Sequence, residues 1–209
     1  MQEPKKNIIL IGYSGHAYVL CEALIESDHN ILGYTEKKEI VKNPFNLNYL
    51  GNEEDEDFKY FSNEFYFIVG IGNNLIRSKI SKFLRSKSCN LVNVIHPSAS
   101  IFNKTNLGSG VFIARNVAIN SFCTIKNDVI INTSASIDHE CFISSGVHIA
   151  PGAVLLGNVE VGLNSFVGAN SVVKEGVKIG ENVVIGAGSV VLKDVKDNSI
   201  IYGNPAKEK

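Results

Sequence analysis

The stretch INTSASIDHECFISSGVHIAPGA, residues 131–153, carries an aliphatic residue at every sixth position. The same register runs through seventeen positions, each of them Ile, Leu or Val. They are Ile95, Ile101, Leu107, Ile113, Ile119, Ile125, Ile131, Ile137, Ile143, Ile149, Leu155, Val161, Val167, Val173, Ile179, Ile185 and Val191. A small or β-branched residue stands four positions after each one. Neither the helical period of about 3.6 nor the strand period of about 2 explains this pattern, which therefore indicates a solenoid.

In such a solenoid each hexapeptide supplies a short strand and a turn, and three hexapeptides close one triangular coil. Stacked coils lie about 4.8 Å apart and bury their aliphatic residues against one another. The period is unbroken from Ile95 to Lys196, so we expect no long protruding loop. Cys123 and Cys141 occupy the same repeat position and should stack inside the prism, as small apolar residues or, alternatively, as a disulfide or metal pair.

Residues 1–91 lack the six-residue period, and residues 92–209 carry it, which predicts two domains. The first domain alternates apolar runs with helical patterns, which favours a small parallel, Rossmann-like α/β sheet. Its predicted strands are 7–11, 30–35 and 65–72, and its predicted helices are 18–27 and 73–88. The acidic run at 53–57 is expected to form a solvated loop.

The segment GYSGHA, residues 12–17, connects the first predicted strand to a helix. Free N–H groups at such a helix start attract phosphate. The segment resembles the dinucleotide fingerprint, but Ser14 replaces its second glycine, so a nucleotide diphosphate or a phosphorylated sugar is favoured over NAD. His16 is either a ligand contact or a helix-start residue. A second glycine-rich turn, GIGNN at 70–74, is suited to closing over the same ligand.

The prism offers few proton acceptors, and His139 stands out among them because it lies in a turn between Asp138 and Glu140. Histidine is the best general base near neutral pH, and a neighbouring carboxylate fixes its tautomer. That pairing requires turn geometry, because adjacent residues of a strand point in opposite directions. The alternative is an ordinary polar surface turn. A zinc site in a prism needs three histidines, and only His139 and His148 are candidates, so no metal is predicted.

Composition excludes other classes. The net charge is −1 and no basic run occurs, which argues against nucleic-acid binding. The apolar run near the start is too short for a membrane span or a signal peptide, so we expect a cytoplasmic protein. The four cysteines show no CxxC spacing, and reduced thiols are expected.

With these motifs in order, the chain resembles the sialic acid O-acetyltransferase family of hexapeptide-repeat sugar acetyltransferases. Within it, the chain is most similar to N-acetyltransferases that act on nucleotide-linked 4-amino-6-deoxy sugars, as in bacillosamine synthesis. The resemblance rests on seven segments in both domains: GYSGH, GIGNNLIR, VNVIHPSA, INTSASIDHE, GVHIAPGA, GNVEVG and YGNPAK. It implies a left-handed parallel β-helix, a homotrimer, and acetyl-CoA bound between neighbouring prisms.

The resemblance also implies roles for individual residues. His139 would be the general base, and Glu140 would raise its basicity. His148, Gly157, Ala169 and Ala187 would contact acetyl-CoA, with the Gly157 N–H as the oxyanion donor. The nucleotide sugar would meet Ser14, Gly15, His16, Thr35, Glu36, Gly72 and Asn73. Thr35 and Glu36 stand where bacillosamine enzymes have two aspartates, which leaves the nucleobase and the sugar open.

Three functions follow as hypotheses. The first is an acetyl-CoA-dependent N-acetyltransferase acting on the 4-amino group of a nucleotide-activated 4-amino-4,6-dideoxy sugar. The second is an O-acetyltransferase acting on sialic acid or another sugar hydroxyl, because the same base could serve a hydroxyl. The third is a non-catalytic trimer that binds nucleotide sugars.

Overall fold

The chain begins with a small parallel sheet. The computed structural model describes residues 5–209. Its first strands and helices are β1 Asn7–Ile11, α1 Gly15–Glu26, β2 Asn30–Thr35, β3 Tyr66–Val69, α2 Asn74–Ser86 and β4 Asn90–Leu91. The four strands are parallel, in the order β2-β1-β3-β4. The strands predicted at 7–11 and 30–35 therefore have the predicted bounds, whereas β4 was not predicted.

The apolar sequence of β1 explains its central place in this sheet, because Ile8, Ile9, Leu10 and Ile11 are all buried. The expectation of a solvated loop at 53–57 is wrong at its first residue. Glu53 is only 8% exposed, since its side chain turns inward and accepts a hydrogen bond from Thr35.

Seventeen strands of two residues each form the second part of the chain, and each ends on one of the predicted aliphatic positions. They are β5 Val94–Ile95, β6 Ser100–Ile101, β7 Asn106–Leu107, β8 Phe112–Ile113, β9 Ala118–Ile119, β10 Thr124–Ile125, β11 Ile130–Ile131, β12 Ser136–Ile137, β13 Phe142–Ile143, β14 His148–Ile149, β15 Val154–Leu155, β16 Glu160–Val161, β17 Phe166–Val167, β18 Val172–Val173, β19 Lys178–Ile179, β20 Val184–Ile185 and β21 Val190–Val191. Each pairs in parallel with the strand three positions along, for example Ile131 with Ile149. The predicted class, an α/β domain followed by a parallel β-solenoid, is confirmed.

The strands form three sheets, which are the faces of the prism. We call the sheet of β5, β8, β11, β14, β17 and β20 the docking face. The second face contains β6, β9, β12, β15, β18 and β21, and the third face contains β7, β10, β13, β16 and β19. A hairpin of β22 Ile200–Gly203 and β23 Ala206–Glu208 extends the docking face at its C-terminal end.

The interior of the prism is apolar and closely filled. The aliphatic positions from Ile113 to Val191 are buried, whereas Ile95, in the first coil, is 36% exposed because no coil covers it. Cys123 and Cys141 are buried free thiols. The Cys123 thiol donates to the Asp138 carbonyl at 3.0 Å, so this pair lies directly behind the turn that carries His139.

The N-terminal part packs on the docking face. Arg85 of α2 forms a two-pronged ion pair with Asp128, with N–O distances of 2.7 and 2.9 Å. Arg115 likewise binds Glu26 of α1 at 2.6 Å. One continuous apolar core joins the sheet to the solenoid, so the two parts hold a fixed relation to each other. Between residues 5 and 209, no helix is both long and apolar enough to cross a membrane.

Candidate functional site

His139 lies in the turn between β12 and β13, at the corner of the second and third faces. Its side chain is 54% exposed. The turn is held from below and above: Glu140 N–H donates to the Ser121 carbonyl, and Asn158 N–H donates to the His139 carbonyl, both at 2.8 Å. The Asp138 carboxylate also accepts the His139 N–H at 2.8 Å. The backbone beneath the imidazole is therefore fixed.

The imidazole of His139 is paired with Glu140, with 3.1 Å between His139 Nδ1 and Glu140 Oε2. A carboxylate can only accept, so Nδ1 carries the proton and Nε2 keeps its lone pair. The turn geometry that the pairing requires is present. This arrangement leaves one basic nitrogen exposed to an incoming group.

Glu140 has a left-handed backbone, with φ of 61°. The matching residue of most other turns in the solenoid is Asn or Gly, as at Asn158, Gly176 and Asn182. Those residues adopt this conformation at little cost, whereas other L-residues are strained by about 1 kcal/mol. A glutamate here is therefore poorly explained by the turn alone and well explained by its bond to His139.

Gly157 lies one coil above His139 and makes room for the ring. A Cβ at Gly157 would lie 2.5 Å from His139 Cε1 and 2.6 Å from Nε2, so only glycine leaves the imidazole in this place. The Gly157 N–H donates to no residue within 5–209. Within those residues it is a backbone donor without an acceptor, on the residue that packs against the His139 ring.

A second set of predicted residues lies at the carboxyl edge of the N-terminal sheet, where ligands bind in parallel α/β folds. Ser14 and Gly15 are exposed at the start of α1, and the Ser14 side chain does not cap the helix. Within residues 5–209, the N–H groups of Ser14, Gly15 and His16 have no acceptor, so they are open to a phosphate. At the end of β2, Glu36 Oε1 accepts the Tyr13 N–H at 3.0 Å.

Thr35 is directed toward the interior. Its side chain is fully buried, and its hydroxyl donates to Glu53 Oε2 at 2.6 Å. Glu36, the next residue, is half-buried at the end of β2, and a contact between Thr35 and the nucleotide stays a prediction.

Gly72 and Asn73 follow β3 at the same edge. Asn73 caps α2, since its side-chain oxygen accepts the Ile76 N–H at 3.0 Å. Beside these two residues lies a groove of about 410 Å³ that continues along the docking face past Phe166 and Val184. A larger cavity of about 810 Å³ lies at the opposite, amino edge of the sheet, away from all predicted site residues.

His16 and His148 meet where the sheet edge touches the docking face, with ring centroids 6.1 Å apart. His148 Nδ1 faces the Gly72 carbonyl at 3.4 Å, and its Nε2 lies 3.2 Å from the Asn132 amide. Burial lowers the pKa of His148 to about 4 and that of His16 to about 3, and each is lowered further by the nearby Arg77. Both rings are therefore neutral at pH 7.

His16 differs from His148 in its hydrogen bonding, because one of its ring nitrogens lacks a partner. His16 Nε2 is enclosed and has no hydrogen-bond partner within residues 5–209. An enclosed nitrogen of this kind is costly unless a ligand satisfies it. In the same part of the chain, no group of three His, Cys, Asp or Glu side chains could hold a metal ion.

Arg77 and Asn132 were not singled out from the sequence. Arg77 is 2% exposed, and its guanidinium donates to the carbonyls of Gly72 at 3.0 Å and Gly146 at 2.7 Å. It thereby ties the glycine-rich turn to the docking face beside His148. The arginine of GIGNNLIR was a visible signal, but a helix pattern does not tell which residues of the helix are buried.

Within one chain, the predicted residues fall into two separate sets. His139, Glu140 and Gly157 share the corner between the second and third faces. The other set lies on the docking face, at its corner with the second face, or at the sheet edge: His148, Ala169, Ala187, Ser14, Gly15, His16, Glu36, Gly72 and Asn73. His139, at the corner of the second and third faces, and His148, on the docking face, thus belong to different parts of the prism.

A hexapeptide solenoid with a His–Glu pair in one turn and a nucleotide-type domain on one face defines a hexapeptide-repeat acyltransferase. Two family descriptions match the chain: "PglD N-terminal domain" at residues 7–84 and "Hexapeptide repeat of succinyl-transferase" at residues 158–193. The GDP-perosamine N-acetyltransferase of Escherichia coli O157:H7 is 33% identical over 104 residues, a match that spans 50% of this chain and 47% of that relative.

Solved structures match over nearly the whole chain. A histidine variant of perosamine N-acetyltransferase from Caulobacter crescentus, in complex with CoA and GDP-perosamine, has a TM-score of 0.88 at 32% identity and covers 97% of this chain and 96% of its own. The acetyltransferase domain of PglB from Neisseria gonorrhoeae, in complex with acetyl coenzyme A, has a TM-score of 0.92 at 27% identity, with 98% and 100% covered. The chain belongs to the family of nucleotide-amino-sugar acetyltransferases that join a PglD-type N-terminal domain to a hexapeptide-repeat solenoid.

Proposed function

We propose that this protein transfers the acetyl group of acetyl-CoA to the 4-amino group of a nucleotide-activated 4-amino-4,6-dideoxy sugar. The observation that carries the proposal is the His139–Glu140 pair, whose imidazole packs against Gly157. Two relatives are named for GDP-perosamine, so a GDP-linked sugar is the first substrate to test.

In the proposed reaction, His139 Nε2 takes a proton from the sugar amine as the nitrogen attacks the thioester carbon. Glu140 stabilises the imidazolium that forms, because its carboxylate accepts from Nδ1. The Gly157 N–H donates to the thioester oxygen while negative charge develops there. The C–S bond then breaks, and His139 returns the proton to the leaving thiolate, which gives the amide and free CoA.

The working form that we propose is a homotrimer. Its support is that the His139 turn and the docking-face residues do not meet within one chain. Neighbouring prisms would bring the His139 corner of one copy to the His148 and Ala169 side of the next. Acetyl-CoA would lie in that groove, with His148, Ala169 and Ala187 as its contacts. Sedimentation equilibrium of the intact chain tests this, and a monomer that is fully active would contradict it.

The remaining assignments concern substrate contacts, domains and location. Ser14, Gly15, His16, Glu36, Gly72 and Asn73 would bind the nucleotide sugar, with the diphosphate at the start of α1. The nucleotide-sugar domain would span residues 1–91 and the acetyltransferase domain residues 92–209. We place the protein in the cytoplasm, and its free cysteines are consistent with a reducing compartment.

The test is release of free CoA thiol from acetyl-CoA in the presence of GDP-, UDP- and dTDP-linked 4-amino-4,6-dideoxy sugars. We expect turnover with one of them and a loss of at least about a hundredfold in His139→Ala, because a general base contributes about that much or more. Glu64→Ala, an exposed residue of the loop before β3 and outside the prism, is the control and should retain full activity. Turnover in His139→Ala close to that of the control would end the proposal.

A further inference from the structure

A buried carboxylate, that of Glu53, lies behind the end of β2, and nothing above assigns it a role. We infer that Glu53 is a second acidic contact for the nucleoside of the nucleotide sugar, acting beside Glu36 and oriented by Thr35. The inference rests on the proposed function, because it concerns the acceptor substrate of that reaction.

The position of Glu53 follows from the end of β2. The Glu36 N–H donates to the Gly51 carbonyl at 3.2 Å, which brings the chain at residues 51–53 against this strand end. The Thr35 hydroxyl then binds Glu53 Oε2 at 2.6 Å. Because the Thr35 carbonyl accepts from Gly12 N–H at 3.0 Å, the Glu53 carboxylate lies near the first turn of the proposed phosphate site.

The bonding of Glu53 is incomplete. The residue is 8% exposed, yet among residues 5–209 its carboxylate accepts one hydrogen bond, from Thr35. A carboxylate can accept about four hydrogen bonds, and a buried charge is costly unless it is well bonded. Oε1 has no partner among residues 5–209 and keeps some exposed surface, because it is not one of the fully enclosed atoms that lack a partner. The proposal assigns this oxygen a donor from the ligand.

A nucleoside carries suitable donors, either ribose hydroxyls or N–H groups of the base. Glu36 uses Oε1 for Tyr13 N–H, so it too keeps an oxygen for a ligand. Glu36 and Glu53 would then provide two acceptors at the rim. One of them comes from β2 and the other from the following loop. Thr35 would thus matter to the site although its side chain is turned away from the ligand, because its hydroxyl orients Glu53.

The test measures nucleotide binding by titration calorimetry, with no acetyl transfer involved. The probes are GDP, 2′-deoxy-GDP, IDP, UDP and dTDP. We expect Glu53→Gln to bind the preferred nucleotide about tenfold or more weakly, because a charge-assisted hydrogen bond is lost. If the penalty disappears with 2′-deoxy-GDP, the donor is the ribose hydroxyl. If it disappears with IDP, the donor is the guanine amino group.

Three further variants separate binding from folding. Glu54→Gln changes the exposed neighbour and should bind as the unaltered protein does. Thr35→Val removes the orienting hydroxyl and should weaken binding, whereas Thr35→Ser keeps the hydroxyl and should restore it. These two variants decide the matter if Glu53→Gln does not fold. Unchanged affinities in folded Glu53→Gln, or equal affinities in Thr35→Val and Thr35→Ser, would overturn the inference and leave the acetyltransferase assignment standing. Failure of the unaltered protein to bind any nucleotide would instead overturn the proposed function and this inference together.

Discussion

At the scale of single residues, the turn at His139 combines two requirements that oppose each other. Its second residue must adopt a left-handed backbone, which favours Asn or Gly, and its side chain must hold an imidazole, which requires a carboxylate longer than either. Glu140 satisfies the second requirement at the expense of the first, with φ of 61°. Strain of this kind is common at functional sites.

Replacing Glu140 with Asn should separate stability from activity. Asn tolerates the left-handed conformation, so we expect the free energy of unfolding to rise by up to about 1 kcal/mol. The rate of acetyl transfer should fall at least about tenfold, since Nδ1 of His139 loses its partner. Thermal melting and the thiol-release assay measure the two effects. Asn198→Glu makes the reverse change in an exposed turn at the C-terminal end of the prism and should lower stability with activity intact. A Glu140→Asn protein of unchanged activity would contradict the role of this carboxylate.

Gly157→Ala should inactivate the protein without unfolding it. The added methyl group would lie within 3 Å of the His139 ring. Because that ring is half exposed, it can rotate away into solvent at little cost in stability, but Nε2 then leaves the reacting position. We expect kcat to fall more than about tenfold, with the melting temperature nearly unchanged. Equal kcat values for Gly157→Ala and the Glu64→Ala control would show that the position of the ring is not critical.

At the scale of elements, helix α2 contributes through one buried arginine. Arg77→Met would leave the carbonyls of Asp128, Gly146 and Gly72 without their donor. We expect a loss of about 3 kcal/mol or more in the free energy of unfolding. The KM for the nucleotide sugar should increase more than the KM for acetyl-CoA. Urea unfolding and steady-state kinetics measure these effects. Lys79→Met, on the exposed side of the same helix, is the control. Similar stabilities for the two variants would show that the guanidinium contacts contribute little.

The elements differ in how far the sequence determines them. The six-residue period predicts every strand from β5 to β21, because each repeat must turn its aliphatic residue inward. The sequence marks His139 for a similar reason, since few polar groups compete with it on the prism. It could not predict that Glu53 folds inward or that Arg77 is buried. Those outcomes depend on which loop meets which strand, and local periodicity does not record that.

At the scale of the whole molecule, the contact between the sheet edge and the docking face should make stability depend on pH. Burial holds the pKa of His148 near about 4 and that of His16 near about 3, against 6.5 in an unfolded chain. As pH falls below about 6.5, the two histidines therefore bind protons in the unfolded chain but not in the folded chain. The free energy of unfolding consequently decreases toward pH 4.

We expect the melting temperature to fall from pH 7.5 to pH 5, and His148→Gln to make that slope shallower by removing one of the two buried groups. Gln retains an amide that can bind the Gly72 carbonyl. Calorimetric melting across this range measures both slopes. Equal slopes for the variant and the unaltered protein would indicate that His148 binds its proton as readily in the folded state as in the unfolded chain.

The fixed pairing of each strand with the one eighteen residues away, such as Ile130 with His148, limits how this protein can change in length. One inserted residue would turn every later aliphatic side chain out of the interior. Whole coils alone can be added or removed, and each one moves the C-terminal hairpin by about 4.8 Å relative to the His139 turn. The length of prism available to an extended acyl donor can therefore change only by whole coils.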